Sequence, residues 1–311
     1  MNYRECAKRL KEKDSILIIT HVNPDGDTMS SASALCSALR RLGKTAYLFP
    51  NYGAAKKLLE YTEKFFAPQG FAPAFRVSVD VATEQMFAQG FEGTVDLCVD
   101  HHPTNSHYAA EELIRAEKSS CGEIVLELIK SLCGDVTEEE ATLLYIAVTT
   151  DTGCFQYANT GYQTLAAASE LLRLGAHQHE VSLRFFRKLS PQRIKLEGLI
   201  YNNISICRDG KVVFALITRE MLEESGAGKD DFDDLAGLAG RVEGGVINVT
   251  IRELPNGDSK VSVRSNPGVS SSAVCAAFGG GGHDMAAGCT IQAPPEKAKE
   301  LLLAVIDEVL R

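Results

Sequence analysis

Residues 15–27 read SILIITHVNPDGD and decide the fold of the first half of the chain. The run SILIIT is short, apolar and bounded by polar residues, which is typical of a buried parallel strand. The polar loop after it leads into the small-residue stretch TMSSASALCSALRRLG, which predicts a helix that ends at Gly43. This order of strand, loop and helix predicts an α/β domain with polar residues at the carboxyl end of its first strand.

The same alternation continues beyond this stretch. The runs TAYLFP (45–50), AFRVSVD (74–80) and TVDLCVD (94–100) predict further strands. Residues 119–134 and 137–150 predict helices, the second of which begins with a Thr-x-x-Glu capping box. Together these elements predict a doubly wound, mostly parallel sheet.

The pattern changes in the last third of the chain. Alternating apolar runs flank the turn dipeptides Asp209-Gly210 and Asn256-Gly257, which predict two hairpins. We therefore divide the chain into an α/β domain (1–185), a helical linker (186–202) and a smaller α+β domain (203–311).

Composition narrows the class of function. The 311 residues carry a net charge of −9. This charge argues against a protein that binds long nucleic acid, since such binding depends on many Lys and Arg side chains. No apolar run is long enough to span a membrane, and the first residues lack the apolar region of a secretory signal. The nine cysteines are scattered and contain no C-x-x-C pair, which favours a reducing cytoplasm.

Aspartate and histidine recur where predicted strands or helices end, which in open α/β sheets is where ligands bind. These residues are His21, Asp25, Asp27, Asp80, Asp100, His101, His102 and Asp151. Any one of them alone would be explained as a turn or capping residue. Converging carboxylates would repel each other unless cations neutralised them, and a mixed imidazole and carboxylate set suits Mn²⁺. The clusters together predict a two-metal site, which activates water for phosphoester hydrolysis.

The successive motifs HVNPDGD, VSVDVAT, DHH and TDTG resemble those of the DHH phosphoesterase superfamily. The C-terminal RSN and GGGGHDMAAG are similar to the DHH-associated C-terminal domain. Length and layout resemble the nanoRNase/PAP phosphatase branch, whose members degrade very short oligoribonucleotides and dephosphorylate 3′-phosphoadenosine 5′-phosphate.

The resemblance implies two divalent ions in a cleft between the domains, with Mn²⁺ favoured over Mg²⁺ or Co²⁺. It implies a first ion held by His21, Asp25 and Asp80, and a second held by Asp27, Asp80, His101 and Asp151. It also implies that Asp100 orients His101 and that His102 contacts the scissile phosphate. The substrate-binding residues that it implies in the second domain are Arg264, Ser265, Asn266, Gly281, Gly282 and His283.

The implied activity is cleavage of dinucleotides and short oligoribonucleotides to nucleoside 5′-monophosphates, and conversion of 3′-phosphoadenosine 5′-phosphate to AMP. Members of the family often form dimers, so a homodimer is consistent with the resemblance. One departure is Ser30, which stands where motif I usually has glycine. The alternatives are a pyrophosphatase, a RecJ-like exonuclease and a non-catalytic nucleotide sensor, and lost ligands would mark the last of these.

Overall fold

The computed structural model of the protein describes residues 1–228, 231–232 and 235–310. The chain divides into two compact units, Met1–Lys188 and Leu189–Arg311. The helix within the segment that we assigned to a linker belongs to the second unit. Across the described ranges, every helix is too short or too polar to cross a lipid bilayer.

The first unit contains a parallel sheet and the helices around it. Its strands are β1 (Ile16–Ile19), β2 (Ala46–Leu48), β3 (Phe75–Val79), β4 (Leu97–Asp100) and β5 (Glu111–Ile114). Its helices are α1 (Tyr3–Lys11), α2 (Gly26–Arg41), α3 (Lys56–Thr62), α4 (Cys121–Cys133), α5 (Glu138–Asp151), α6 (Tyr162–Arg173) and α7 (Gln178–Ser182). The predicted α/β domain is confirmed.

The strand order β2-β1-β3-β4-β5 makes β1, β3 and β4 direct neighbours at the centre of the sheet. All pairings between these strands are parallel, with Ile19 opposite Ser78 and Ser78 opposite Cys98. The carboxyl ends of the three strands therefore meet at one edge. All the predicted site residues of this unit except Asp151 come at or just after these strand ends and therefore lie at that edge: His21, Asp25, Asp27, Asp80, Asp100, His101 and His102.

Close packing of α2 against α5 fixes the position of Asp151. Residues 26–39 of α2 are all buried, and most of them are Gly, Ser or Ala. Small side chains let the two helices approach closely, and an added Cβ on Gly26 would lie 2.3 Å from Thr150 Oγ1. This contact holds the C-terminal end of α5, where Asp151 lies, beside the start of α2.

The second unit is an α+β domain. Its helices are α8 (Pro191–Asn202), α9 (Arg219–Ser225), α10 (Ser271–Ala276) and α11 (Pro295–Val309). Its strands are β6 (Ser205–Cys207), β7 (Val212–Ile217), β8 (Ile247–Glu253), β9 (Ser259–Ser265), β10 (Gly281–His283) and β11 (Ala286–Ile291).

These strands form a mixed sheet in the order β10-β11-β9-β8-β7-β6. The hairpins predicted at Asp209-Gly210 and Asn256-Gly257 are confirmed, because β6 pairs antiparallel with β7 and β8 with β9. Strands β7 and β8 are parallel to each other, which the sequence did not indicate. Apolar side chains of β7 point alternately toward a cluster that includes α10 and α11 and a cluster that includes α8, so both faces of the sheet are covered.

Candidate metal centre

The first two carboxylates, those of Asp25 and Asp27, lie at the start of α2. Asp25 is the N-cap of α2, and one of its oxygens, Oδ1, accepts a hydrogen bond from the amide of Thr28 at 3.0 Å. Its other oxygen, Oδ2, lies 3.4 Å from His21 Nε2. Asp25 can therefore cap the helix and bind a metal ion at the same time, because each function uses a different oxygen.

Asp80 occupies the centre of the site. Its Oδ2 lies 3.6 Å from His21 Nε2, and its Oδ1 lies 3.3 Å from His101 Nε2. Its backbone has a φ of +62°, in the left-handed region that residues other than glycine seldom adopt. Such strain is concentrated at functional sites. In this backbone conformation the Asp80 carboxylate places one oxygen next to His21 and the other next to His101.

Asp27 is buried at the start of α2, and its carboxylate is held from two sides. Oδ1 accepts from Ser31 Oγ and from the amide of Gly122, each at 2.9 Å. Oδ2 accepts from the amide of Cys121 at 2.6 Å. The two amides belong to the first turn of α4, where the helix dipole favours a negative charge. The orientation of Asp27 is thus fixed before any ligand binds.

The two histidines of the DHH motif have different partners. His101 points its Nε2 toward Asp27, at 3.9 Å, and toward Asp151, at 3.8 Å. The Nδ1 atom of His102 lies 2.8 Å from Asp100 Oδ1 and 3.6 Å from Asp80 Oδ1. His101 therefore faces Asp27, Asp80 and Asp151, whereas the ring of His102 is held mainly by Asp100.

The expected partner of Asp100 requires correction. We expected Asp100 to orient His101, but its carboxylate contacts only the backbone amide of that residue and binds the ring of His102 instead. The ring of His101 is oriented by the carbonyl of Lys118, 3.2 Å from Nδ1. The reason is geometric: successive side chains at the end of a strand diverge, so Asp100 reaches the ring two residues away.

Crowding of charge perturbs the titration of this site. Burial and the charges of Asp80 and Asp151 raise the pKa of Asp27 well above its usual range. Burial also raises the pKa of Asp151 to about 7. Burial works against protonation of His101, yet its contact with Asp80 and the charges of Asp27 and Asp151 raise its pKa to about 10. A cation that bound among these carboxylates would therefore displace protons from them.

The residues present fit divalent metal ions. Ligand atoms of His21, Asp25 and Asp80 lie within 4.8 Å of one another, and so do those of Asp27, His101 and Asp151. Asp80 Oδ1 is buried and makes no hydrogen bond of good geometry with any residue that the structure describes. Such an orphaned acceptor, 3.3 Å from an imidazole nitrogen, has the environment of a ligand whose ion would complete its coordination.

The expected substrate-binding residues of the second unit lie at the end of β9 and in β10. Arg264 is exposed, whereas Ser265 donates to the carbonyl of Val269 at 2.6 Å and so holds the loop that leads to α10. Asn266 donates to the carbonyl of Gly245 at 3.4 Å. Arg264 and Asn266 are therefore the exposed members of the RSN motif, and Arg264 is the one that carries a cation for a phosphate.

The glycine run 279–282 forms regular hydrogen bonds, although a run of glycines favours a flexible loop. The amides of Gly279 and Gly280 donate to carbonyls at the end of α10, those of Ala276 and Cys275. Gly281 and Gly282 form the edge strand β10, paired with β11. The side chain of His283, the last predicted residue here, lies outside the described part of the structure.

Sequence reasoning missed the residues that orient the predicted ligands. Asn105 donates to Asp100 Oδ2 at 2.6 Å, and Ser31 donates to Asp27. The signal for Ser31 was its position one helical turn after Asp27, at the i+4 spacing that places two side chains on one face. A backbone partner such as the carbonyl of Lys118 leaves no signal in the sequence.

Comparison with known proteins gives consistent matches over both units. The model of the DHH family N-terminal domain matches residues 15–148, and that of the DHHA1 domain matches residues 209–311. The chain is 35% identical to a Thermus thermophilus protein described as bifunctional oligoribonuclease and PAP phosphatase NrnA, over 99% of this chain and 94% of the relative. A Bacillus subtilis protein of the same description is 26% identical, over 92% of each chain.

A solved structure has the same fold over almost the whole chain. An exopolyphosphatase-related protein from Bacteroides fragilis superimposes with a TM-score of 0.86 at 22% identity, covering 98% of this chain and 96% of that one. At this identity the likeness establishes the fold and leaves the substrate to be argued from the site.

Proposed function

The chain belongs to the DHH family of metal-dependent phosphoesterases, and from that premise we propose that it hydrolyses very short oligoribonucleotides and 3′-phosphoadenosine 5′-phosphate. The products would be nucleoside 5′-monophosphates in the first reaction, and AMP and inorganic phosphate in the second. The observation that carries this proposal is the Asp80 carboxylate, which presents one oxygen to His21 and the other to His101.

We assign the first ion to His21, Asp25 and Asp80. The second is assigned to Asp27, Asp80, His101 and Asp151. Two divalent ions held there would activate water and neutralise the charge of the phosphate in the transition state. We favour Mn²⁺ because the ligands mix imidazole and carboxylate, whereas Mg²⁺ prefers oxygen alone.

His102 is proposed to assist the leaving group. Its Nδ1 donates to Asp100, which leaves the opposite edge of the half-buried ring available to a substrate. Burial works against protonation of His102, but the hydrogen bond to Asp100 and the charge of Asp80 raise its pKa above the usual value. A histidine whose pKa is raised in this way suits a general acid, which protonates the departing oxygen.

The choice of substrate rests on the relatives and on the second unit. The Thermus thermophilus relative, matched over 94% of its length, is described as an oligoribonuclease and PAP phosphatase. We propose that Arg264 binds a substrate phosphate, because a guanidinium can form paired hydrogen bonds with phosphate oxygens. The net charge of −9 favours a short substrate over a long polynucleotide.

A product analysis tests the proposal. The purified protein would be incubated, with Mn²⁺ or with EDTA, with a 5′-phosphorylated RNA dinucleotide, a 24-residue RNA, 3′-phosphoadenosine 5′-phosphate and pyrophosphate. We expect metal-dependent turnover of the dinucleotide and of 3′-phosphoadenosine 5′-phosphate, with little action on the long RNA. The variant Asp80→Asn serves as the control and should be inactive. Turnover of pyrophosphate alone would contradict the proposal, and binding without turnover would favour the sensor.

A further inference from the structure

We propose that residues 118–123, with Glu123 as their hub, form a positioning segment that selectively sets the affinity of the second metal ion. The inference rests on the proposed function, since it assumes the two ions assigned above. The segment reaches three ligands of the second ion, two of them by direct hydrogen bonds and the third through Asn159.

The first route orients His101. The carbonyl of Lys118 can only accept, so the hydrogen bond at 3.2 Å places the proton of the ring on Nδ1. Nε2 is then the basic nitrogen, and it faces Asp80, Asp27 and Asp151. Partners of this kind fix the tautomer and the direction of metal-binding histidines.

The second route orients Asp27 through the first turn of α4. The amides of Cys121 and Gly122 donate to its two oxygens at 2.6 and 2.9 Å. This turn can lie so close because residue 122 is glycine: an added Cβ would stand 2.8 Å from the Cβ of Ala147 in α5. The amides are thus held against the carboxylate by the packing of α4 on α5.

The third route runs through Asn159 to the backbone of Asp151. The side-chain amide of Asn159 donates to the carbonyl of Asp151 at 3.1 Å and to that of Ser119 at 3.3 Å. One short segment therefore binds His101 and Asp27 directly and is linked to Asp151 through Asn159. In the described part of the chain no hydrogen bond joins it to His21 or Asp25, which belong to the first ion.

Glu123 holds the segment together. Its carboxylate is buried, and its Oε1 accepts from Ser119 Oγ at 2.6 Å and from Thr164 Oγ1 at 2.9 Å. Its Oε2 pairs with Lys118 Nζ at 3.1 Å. The acid thus binds the residue whose carbonyl orients His101 and the residue whose carbonyl is tied to Asp151. Removing this buried charge would leave its donors unsatisfied and release the turn.

A purely structural role for Glu123 predicts a different result. If Glu123 only supported the packing of α4, its loss would weaken the whole first unit and both ions alike. Our inference instead requires that the second ion be weakened while the first is spared. Measuring each ion separately distinguishes these two roles.

The experiment measures Mn²⁺ dissociation constants by electron paramagnetic resonance of free Mn²⁺, so that no activity is needed. The wild type is titrated first and should bind two ions. Glu123→Gln is then introduced into two backgrounds, Asp25→Asn, which impairs the first ion, and Asp151→Asn, which impairs the second. Glu127→Gln, one turn further along α4 and paired with Lys130 at the surface, is the matched control.

We expect Glu123→Gln to weaken Mn²⁺ binding by about tenfold or more in the Asp25→Asn background, the usual effect of losing an orienting partner. In the Asp151→Asn background Glu123→Gln should leave the affinity of the first ion unchanged. The control Glu127→Gln should change the Mn²⁺ affinity in neither background. Thr164→Val, which removes one hydrogen bond from Glu123 and keeps the volume, should give a smaller loss with the same selectivity.

Equal losses in both backgrounds, or no loss in the Asp25→Asn background, would overturn the inference. A wild type that binds fewer than two Mn²⁺ ions would overturn the proposed function and this inference with it. That failure would be seen before any variant of Glu123 is compared.

Discussion

Gly26 lies so close to Thr150 that a Cβ on the glycine would stand 2.3 Å from Thr150 Oγ1 and 2.6 Å from its Cβ. The contact joins the turn that carries Asp25 and Asp27 to the end of α5, where Asp151 lies. The glycine of the DGD motif is therefore required by the packing of two helices, in addition to any role in the turn.

We predict that Gly26→Ala destabilises the protein by about 1–3 kcal/mol, as overpacking of a close contact does. The shift of α5 should also lower Mn²⁺-dependent activity. Thermal unfolding and turnover of the dinucleotide would measure the two effects. Adding Thr150→Gly should restore part of both, because it removes the obstructing side chain. If the double variant is no better than Gly26→Ala alone, the contact does not explain the glycine.

Asp100→Asn should lower kcat by about 10- to 100-fold while KM stays near the wild-type value. The reason is that Asp100 Oδ1 accepts from His102 Nδ1. An amide would hold the ring less firmly and would stabilise its protonated form less well. Steady-state kinetics on the dinucleotide would test this. His107→Gln, at an exposed histidine paired with Glu112, is the matched control and should leave both constants unchanged. A rise in KM alone would assign Asp100 to substrate binding.

Ser30→Ala should increase the free energy of unfolding by about 1 kcal/mol, because it removes a buried hydroxyl that lacks a partner and adds a better helix former. In the part of the chain that the structure describes, Ser30 Oγ makes no hydrogen bond. Ser33→Ala, in the same helix, removes a hydroxyl that donates to the carbonyl of Met29 and should not stabilise. A loss of stability in Ser30→Ala would show that the hydroxyl has a partner in solution.

Binding of Mn²⁺ should release protons at neutral pH. In the metal-free protein the pKa of His101 is raised to about 10 and that of Asp151 to about 7, so at neutral pH His101 is protonated, Asp151 is partly protonated, and a metal must displace these protons. Affinity should therefore increase as the pH rises from 6 to 9. Calorimetry in buffers of different ionisation enthalpy would count the protons, and His101→Ala should release fewer. An affinity independent of pH would contradict the protonated state of the metal-free site.

Much of the first unit could be predicted from its sequence, because buried parallel strands and small-residue helices leave clear patterns. The apolar run before His21 and the periodic helix after it are examples. Strand β5 was missed, since its sequence Glu111-Glu112-Leu113-Ile114 lacks a continuous apolar run. It is an edge strand, and a strand with one neighbour needs fewer apolar residues.

The candidate site was predictable where chemistry depends on side chains and unpredictable where it depends on the backbone. Convergence of His21, Asp80 and His101 followed from the ends of neighbouring parallel strands. The partner of His101 is a carbonyl, and the partners of Asp27 include two amides, which every residue possesses. No residue type marks such groups, so only the folded chain shows where they point.

The order of the ligands along the chain has a consequence for biosynthesis. His21, Asp25 and Asp80 all lie within the first 80 residues, whereas the second set is complete only with Asp151, at the end of α5. Domains emerge from the ribosome N-terminal part first. Both sets nevertheless belong to the one unit Met1–Lys188, and domains fold as units, so we expect neither ion to be loaded before Asp151 has been synthesised.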